Sequence, residues 1–352
     1  MYELRKMENS VYIFKINLDW QLIGLISEID RFDASWSSIE RIEKQNLKQL
    51  KSIATVRSVG ASTRIEGSKL TDEEVDVLLK NIDITKLEDR DSQEVVGYFE
   101  SMDMISETYR DIQISVGDIK NLHNILMKYS IKDGWHKGDY KQHSNAVEAR
   151  YPDGRSQIVF KTTEPGFATE NAMNQLIYWY HQEKSIHPLV KCALFTYEFL
   201  SIHPFQDGNG RLSRLLSSLL LLKNEYKWIQ YVSFEHEIES RKAEYYKVLR
   251  SCQGQRPDEN ISDWVNFFFD ALKNIQVQLM KKLQLHNTDE QLLPREKLII
   301  NFIQNHPGCK SGAIAKGLNI SRNIVIRVLF ILIEKNRIEK LGTGSATQYM
   351  IM

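Results

Sequence analysis

Twelve consecutive residues, His203–Arg214 (HPFQDGNGRLSR), constrain this chain more tightly than any other stretch. The apolar run before them, CALFTYEFLSI (Cys192–Ile202), reads as a helix leading into a loop. The run after them, LLSSLLLL (Leu215–Leu222), reads as a second, buried helix that begins near Arg211. A helix N-terminus preceded by glycines offers free backbone N–H groups and the positive end of a dipole, which together bind anions. Gly208 and Gly210 lack Cβ atoms, so this loop is expected to turn with positive φ and to let a phosphate approach the backbone. Arg211 and Arg214 stand three apart on the new helix, hence on one face, where both guanidinium forks can grip phosphate oxygens. Asp207 lies just ahead of the loop, and one carboxylate with phosphate oxygens and waters is the usual way to hold Mg²⁺. His203 has the pKa range of a general base near neutrality.

This stretch resembles the signature of the Fic family, HPFx(D/E)GNGRxxR. His203, Pro204, Phe205, Asp207, Gly208, Asn209, Gly210, Arg211 and Arg214 match it without a departure. The resemblance implies an enzyme that moves AMP from ATP to a Ser, Thr or Tyr hydroxyl of a target protein and releases pyrophosphate. It implies His203 as the catalytic base and Asp207 as the Mg²⁺ ligand across the α- and β-phosphates. The amides and side chain of Gly208, Asn209 and Gly210 would cradle the phosphates, with Arg211 on the β-phosphate and Arg214 on the γ-phosphate. Leu212 and Ser213 complete the ATP-binding stretch. Such chemistry depends on positioning and charge neutralisation more than on covalent help from protein. Relatives that phosphorylate their targets carry lysine where this chain has Gly210.

Far upstream, Ser62-Thr63-Arg64-Ile65-Glu66-Gly67 resembles the family's inhibitory pattern, (S/T)xxxE(G/N). Ser62 and Glu66 are four apart and share a helix face, and Gly67 is a natural residue to end that helix. The resemblance implies that the Glu66 carboxylate pairs with Arg214 and takes the place of the γ-phosphate; the plainer reading is a solvated charge at a helix end. From Tyr140 to Lys161 the chain reads YKQHSNAVEARYPDGRSQIVFK, a Pro-Asp-Gly turn between two strand-like runs. That hairpin resembles the Fic flap, which aligns a target segment as an added strand; Ile158, Val159, Phe160 and Lys161 would be its active-site limb. A plain surface hairpin fits the same letters. Tyr245-Tyr246 resembles the paired tyrosines that border the adenine and ribose pocket, with Gln253 placed for a polar contact. Aromatic pairs on an amphipathic helix equally serve a core.

A chain of 352 residues is long enough for two or three domains. Lys plus Arg and Asp plus Glu both total 46, so net charge gives no global pull towards nucleic acid or membrane. Apolar runs such as Leu215–Leu222 and Ile324–Ile333 fall well short of the ~20 residues a membrane helix needs. The start, MYELRKMENS, lacks the apolar core of a signal peptide, so a cytoplasmic protein is expected. Cys192, Cys252 and Cys309 are odd in number and widely spaced, which fits a reducing compartment and argues against a zinc site.

The expected architecture is mainly α: an all-helical Fic core with a β-hairpin flap, plus a C-terminal winged-helix domain. Residues 1–85 open with a strand-like VYIFKI and continue as helices; they resemble the extension that carries the inhibitory helix. Residues 86–285 form the catalytic core, closed by the long amphipathic run ISDWVNFFFDALKNIQVQLMKKLQLH. A polar break at His286–Gln291, with Pro294 beyond, marks a linker. Residues 291–352 read as three helices and a two-stranded wing, with Gly317 and the following NIS in the turn and Ser321 capping the third helix.

That last stretch holds nine Lys or Arg against three Asp or Glu. Docked on DNA, it would place Ser321, Arg322, Asn323 and Arg327 near bases or phosphates; the other reading is contact with protein, either a target or a second copy in a homodimer. Function therefore divides into classes. One is a self-inhibited adenylyltransferase, with ATP as substrate, Mg²⁺ as cofactor and a target protein as partner. A variant of it removes AMP, using Glu66 to position water. The other is a nucleotide-sensing regulator that acts on DNA.

Overall fold

The computed structural model describes residues 2–3, 12–150, 156–290, 293–335, 337–342, 344 and 347–351. The Pro152–Gly154 turn, most of MYELRKMENS, Gln291 and part of the expected wing tip lie outside the described residues. The chain divides into two compact units, Met1–Leu279 and Met280–Met352.

The first unit is almost wholly helical. A two-residue strand, β1 (Tyr2–Glu3), pairs antiparallel with β2 (Lys15–Ile16), so only the end of VYIFKI is strand. Then come α1 (Trp20–Ile42), α2 (Lys44–Ile65), α3 (Asp72–Lys80), α4 (Arg90–Thr108) and α5 (Val116–Leu126). The hairpin β3 (Ala146–Arg150) and β4 (Ser156–Lys161) follows, with a bulge between Val147 and Glu148. After it run α6 (Phe167–Gln182), α7 (Pro188–Ile202), α8 (Asn209–Lys223), α9 (Phe234–Ser240), α10 (Lys242–Gln253) and α11 (Ser262–Glu290), whose residues beyond Leu279 belong to the second unit.

Helix starts are written locally. Asp19, Thr71, Asp89, Ser115 and Ser233 each accept a backbone N–H of the first turn, and Glu74 completes a capping box with Thr71. α7 and α8 are buried along nearly their whole length, so they form the centre of the unit, and α2, α4 and α5 pack against α8. Residues 286–290, expected as a break, are the last turn of α11. Polar side chains remove burial but leave helical hydrogen bonds intact, and the first proline falls only at Pro294.

The second unit contains α12 (Pro294–Asn305), α13 (Ser311–Leu318), α14 (Arg322–Glu334) and the antiparallel pair β5 (Ile338–Leu341) and β6 (Gln348–Ile351). Ile299, Ile303, Ile314, Val325, Leu329 and Leu332 pack into one core. Gly317, expected with the NIS stretch to supply the turn, does not do so. It lies inside α13, where a Cβ would come within 2.3 Å of the Phe302 ring, and Asn319 takes the left-handed conformation at φ 53°. Ser321 occupies the N-cap of α14 without a side-chain capping bond.

Candidate active site

The site forms where α7 gives way to α8. Helix α7 stops because Pro204 cannot continue it, and His203 turns out of it in the left-handed region (φ 53°, ψ 60°). Asn209 closes the loop on itself: its Oδ1 accepts the Phe205 N–H at 2.9 Å and its Nδ2 donates to the Phe205 carbonyl at 2.8 Å. Its side chain is therefore committed to the loop. Gly208 sits at the N-cap with φ 78°, against Met127 and His123, where a Cβ would meet both at 3.2–3.3 Å. Gly210 lies in the first turn of α8 without positive φ, so its role is a matter of space, not of turning.

His123, on α5, supports this loop from below. Its ring stacks on Phe205 with centroids 3.8 Å apart. Nδ1 accepts the Gly138 N–H at 2.9 Å, which leaves the proton on Nε2 to donate to the Asp207 carbonyl at 3.0 Å. Burial pushes its pKa down to about 4, in keeping with a ring that must stay neutral to accept at Nδ1.

His203 is held by a long contact, Nδ1 to the Leu200 carbonyl at 3.4 Å. A carbonyl can only accept, so the ring proton belongs on Nδ1 and Nε2 is left as a lone-pair base. Burial, helped by the Lys141 ammonium, pushes the His203 pKa down to about 4.

Asp207 is half-exposed and accepts the Gly208 N–H at 2.6 Å. Its partial burial works to raise its pKa, but the Arg211 guanidinium and the Gly208 N–H outweigh that and hold the carboxyl below its usual range. Arg211 is buried, 3.3 Å from Glu94 and 3.7 Å from Asp207, and its Nε and Nη1 make no hydrogen bond. Glu94 also takes Arg90 at 2.7 Å.

Arg214 is equally buried and faces the end of α2. Its Nε donates to Ser62 Oγ at 2.8 Å, and its Nη2 donates to the Ser62 carbonyl and to Glu66 Oε1, both at 2.9 Å. Nη1 has no hydrogen-bond partner. Ser62 and Glu66 thus converge on one arginine. Helix α2 ends there, with Glu66 as C-cap and Gly67 at φ 110°; the Gly67 and Ser68 N–H groups return to the Arg64 and Thr63 carbonyls. Gly210 makes room for Glu66: a Cβ at 210 would lie 2.3 Å from Glu66 Oε1.

Other expected ligands are placed differently. Leu212 is in the core with its amide on the Gly208 carbonyl, and Ser213 Oγ donates to the Gly210 carbonyl, so neither side chain faces the site. Tyr245 is buried among Tyr246, Trp264 and Phe267; burial raises its pKa, and the Arg214 guanidinium beside it works against that rise. Tyr246 is half-buried, and the Glu66 carboxylate helps raise its pKa behind the larger effect of burial, which puts its hydroxyl near that carboxylate. Gln253 is buried, donates to Ser201 Oγ at 3.2 Å and leaves Oε1 without a partner. Phe160 is half-buried and Lys161 exposed on β4; the side chains of Ile158 and Val159 lie outside the described residues. Sequence reasoning passed over His123, Glu94 and Lys141. Each looks like a solvated residue on its own segment, and only packing brings it to the loop.

Residues 113–221 match the family model described as "Fic/DOC family". Among curated proteins, the protein adenylyltransferase Fic of Drosophila erecta is 26% identical over 206 residues, 56% of this chain and 39% of its own length. That of Drosophila mojavensis is 24% identical over 260 residues, 71% of this chain and 47% of its own length. The chain thus spans less than half the length of these two relatives. Among solved structures, a Fic family protein from Desulfovibrio desulfuricans superposes with a TM-score of 0.64 at 23% identity, covering 97% of this chain and 98% of that one. A Fic domain containing signaling protein from Bacteroides thetaiotaomicron gives 0.58 at 23% identity, covering 73% and 96%. The chain folds as these proteins do, and it carries a Fic/DOC-family domain at residues 113–221.

Proposed function

We propose that the chain is a protein adenylyltransferase, moving AMP from ATP to a hydroxyl of a polypeptide, and that Glu66 restrains it. One observation carries this reading: two buried guanidinium groups, Arg211 and Arg214, keep N–H donors without hydrogen bonds beside the N-terminus of α8. A buried donor without a hydrogen bond costs ~1–3 kcal/mol, less for Arg211 Nη1, which keeps an ion pair with Glu94 at 3.3 Å; a polyphosphate is the anion whose length and charge suit two such forks and a helix N-terminus.

In this reading the target hydroxyl gives its proton to Nε2 of His203 as its oxygen attacks the α-phosphorus. The bond from that phosphorus to the bridging oxygen breaks, and pyrophosphate leaves. Asp207 fits a Mg²⁺ ion: its half-exposed carboxylate stands at the helix N-terminus, where phosphate oxygens and waters would supply the other ligands. An ion held there would neutralise charge on the phosphate oxygens. Glu66, 2.9 Å from Arg214, stands where a γ-phosphate would be gripped, so ATP would bind with its α-phosphate misaligned.

The test uses ATP labelled in the α-phosphate, with Mg²⁺, on the parent, Glu66→Gly, and Glu66→Gly with His203→Ala. Label on the Glu66 variant, little on the parent and none on the double variant is the expected result. Equal labelling of parent and Glu66→Gly would remove the restraint by Glu66; equal labelling of the two Glu66→Gly chains would remove His203 as the base.

For the C-terminal unit we propose a winged helix that contacts protein. Ile326 (47% exposed) and Phe330 (62%) stand four apart on α14, the helix expected to read DNA, and present apolar surface where phosphate contact needs charge. Random duplex DNA at low salt should show no gel retardation at micromolar protein; a salt-sensitive shift would restore the DNA reading.

A further inference from the structure

Lys141 is 1% exposed, yet among the described residues no carboxylate pairs with it. Its ammonium instead donates to three neutral acceptors: Thr162 Oγ1 at 2.7 Å, Asn145 Oδ1 at 3.0 Å and the Ile202 carbonyl at 3.1 Å. All three N–H groups are therefore used. A buried ammonium without a paired carboxylate is costly: burial pushes this one down to about 8, against a smaller upward pull from the Glu164 carboxylate. The three acceptors come from three places. Asn145 immediately precedes β3, Thr162 immediately follows β4, and Ile202 is the last residue of α7, next to His203.

The surrounding hydrogen bonds run along the same lines. The Lys141 amide donates to the Pro204 carbonyl at 2.8 Å, and Tyr140 bridges Phe205 as a short antiparallel pair. Asn145 Nδ2 donates to the Phe205 carbonyl at 3.1 Å, and the His143 amide to Gln206 Oε1 at 3.2 Å. Thr162 Oγ1 donates across the stem to the Asn145 carbonyl at 2.8 Å. The Ile202 carbonyl belongs to the last turn of α7, which has no helical partner and carries the negative end of the dipole, a favourable place for a cation. Lysine suits the position because an ammonium offers three divergent donors on a flexible stem, where a carboxamide offers two in a plane.

We infer that Lys141 is a positioning residue: it ties both stems of the β3–β4 hairpin to the end of α7 and so sets the distance between a polypeptide lying along the hairpin and Nε2 of His203. The inference rests on the adenylyl-transfer reading. In that reading Lys141 contacts neither the nucleotide nor the target's hydroxyl, because its three donors are already taken by Thr162, Asn145 and Ile202. Its loss should therefore damage transfer to polypeptide while leaving nucleotide binding alone.

The experiment places Lys141→Met and, separately, Thr162→Val in the Glu66→Gly chain. Three quantities are read: label transferred from α-labelled ATP, ATP affinity by calorimetry, and amide hydrogen exchange across residues 145–162 and α8. Lys141→Met should slow transfer about 100-fold, the scale of an ångström's misplacement, with ATP affinity within about twofold and faster exchange confined to the hairpin. Thr162→Val should do the same more weakly, and the double variant should be no slower than Lys141→Met, since both act through one tether. Transfer at the Glu66→Gly rate, or unchanged hairpin exchange, would overturn the inference. Should Lys141→Met fail to fold, Thr162→Val carries the test, because it deletes only one hydroxyl. Should Glu66→Gly take up no label at all, the transfer reading fails separately, and hairpin exchange alone decides whether Lys141 holds the stem.

Discussion

Glu66 and Gly210 belong together. The carboxylate packs against the space a Cβ at position 210 would take, so Gly210→Ala forces an oxygen 2.3 Å away to move. Overpacking of this kind costs ~1–3 kcal/mol, and in the Glu66→Gly background the same change should cost under about 1 kcal/mol. Urea unfolding of the four chains checks it; equal costs in both backgrounds would separate the two residues. His203 makes a second prediction. Its pKa of about 4 lies below the ~6.5 of an unfolded histidine. Between those values the unfolded chain takes up a proton that the folded chain refuses, so stability falls as pH drops through the window. Lys141 opposes the imidazolium and Glu66 and Asp207 favour it, yet burial dominates. The parent should lose more Tm than His203→Asn between pH 7 and about 4.5, and a parallel decline would mean that His203 titrates normally.

At the scale of elements, the end of α2 is the part most plainly held in place. Arg64, two residues before Glu66, donates to Glu239 at 2.7 and 3.0 Å, to Asp72 at 2.9 Å and to the Leu70 carbonyl at 2.9 Å. Lys242 donates to the Ile65 carbonyl at 2.6 Å. These bonds fix the last turn that carries Glu66. Arg64→Ala should raise self-labelling about tenfold in the parent, through loss of charged hydrogen bonds, and change nothing once Glu66 is glycine. An equal rise in both backgrounds would show that Arg64 acts elsewhere. The helices themselves were legible: the apolar runs of α7, α8 and α14 lie on the surface of the text, although Ser321 makes no side-chain capping bond. The end of α11 was not, because a run of polar residues looks the same in a solvated helix as in a loop.

Across the chain as a whole, neutrality conceals a basic C-terminal unit whose exposed helix also carries Ile326 and Phe330. Apolar side chains in that position favour a protein surface, with a second copy of this chain as one partner. Ile326→Lys with Phe330→Asp should lower the apparent mass by light scattering if copies associate through this face, and leave the transfer rate of the Glu66→Gly chain unchanged. No helix among the described residues is long and apolar enough to cross a membrane.

The loop between α7 and α8 could be read directly because its chemistry is local. His203, Asp207, Gly208 and the two arginines lie within twelve residues, and helix spacing alone puts Arg211 and Arg214 on one face. The same locality explains the pairing of Ser62 with Glu66 and the glycine that follows. What surrounds the loop is not local. Glu66 meets Arg214 across 148 positions, His123 meets Asp207 across 84, and Lys141 meets Ile202 across 61. No spacing rule links such residues, because packing of α2, α5 and the hairpin stem brings them together. A side chain's letter states what it can donate or accept, and only the fold supplies the partner.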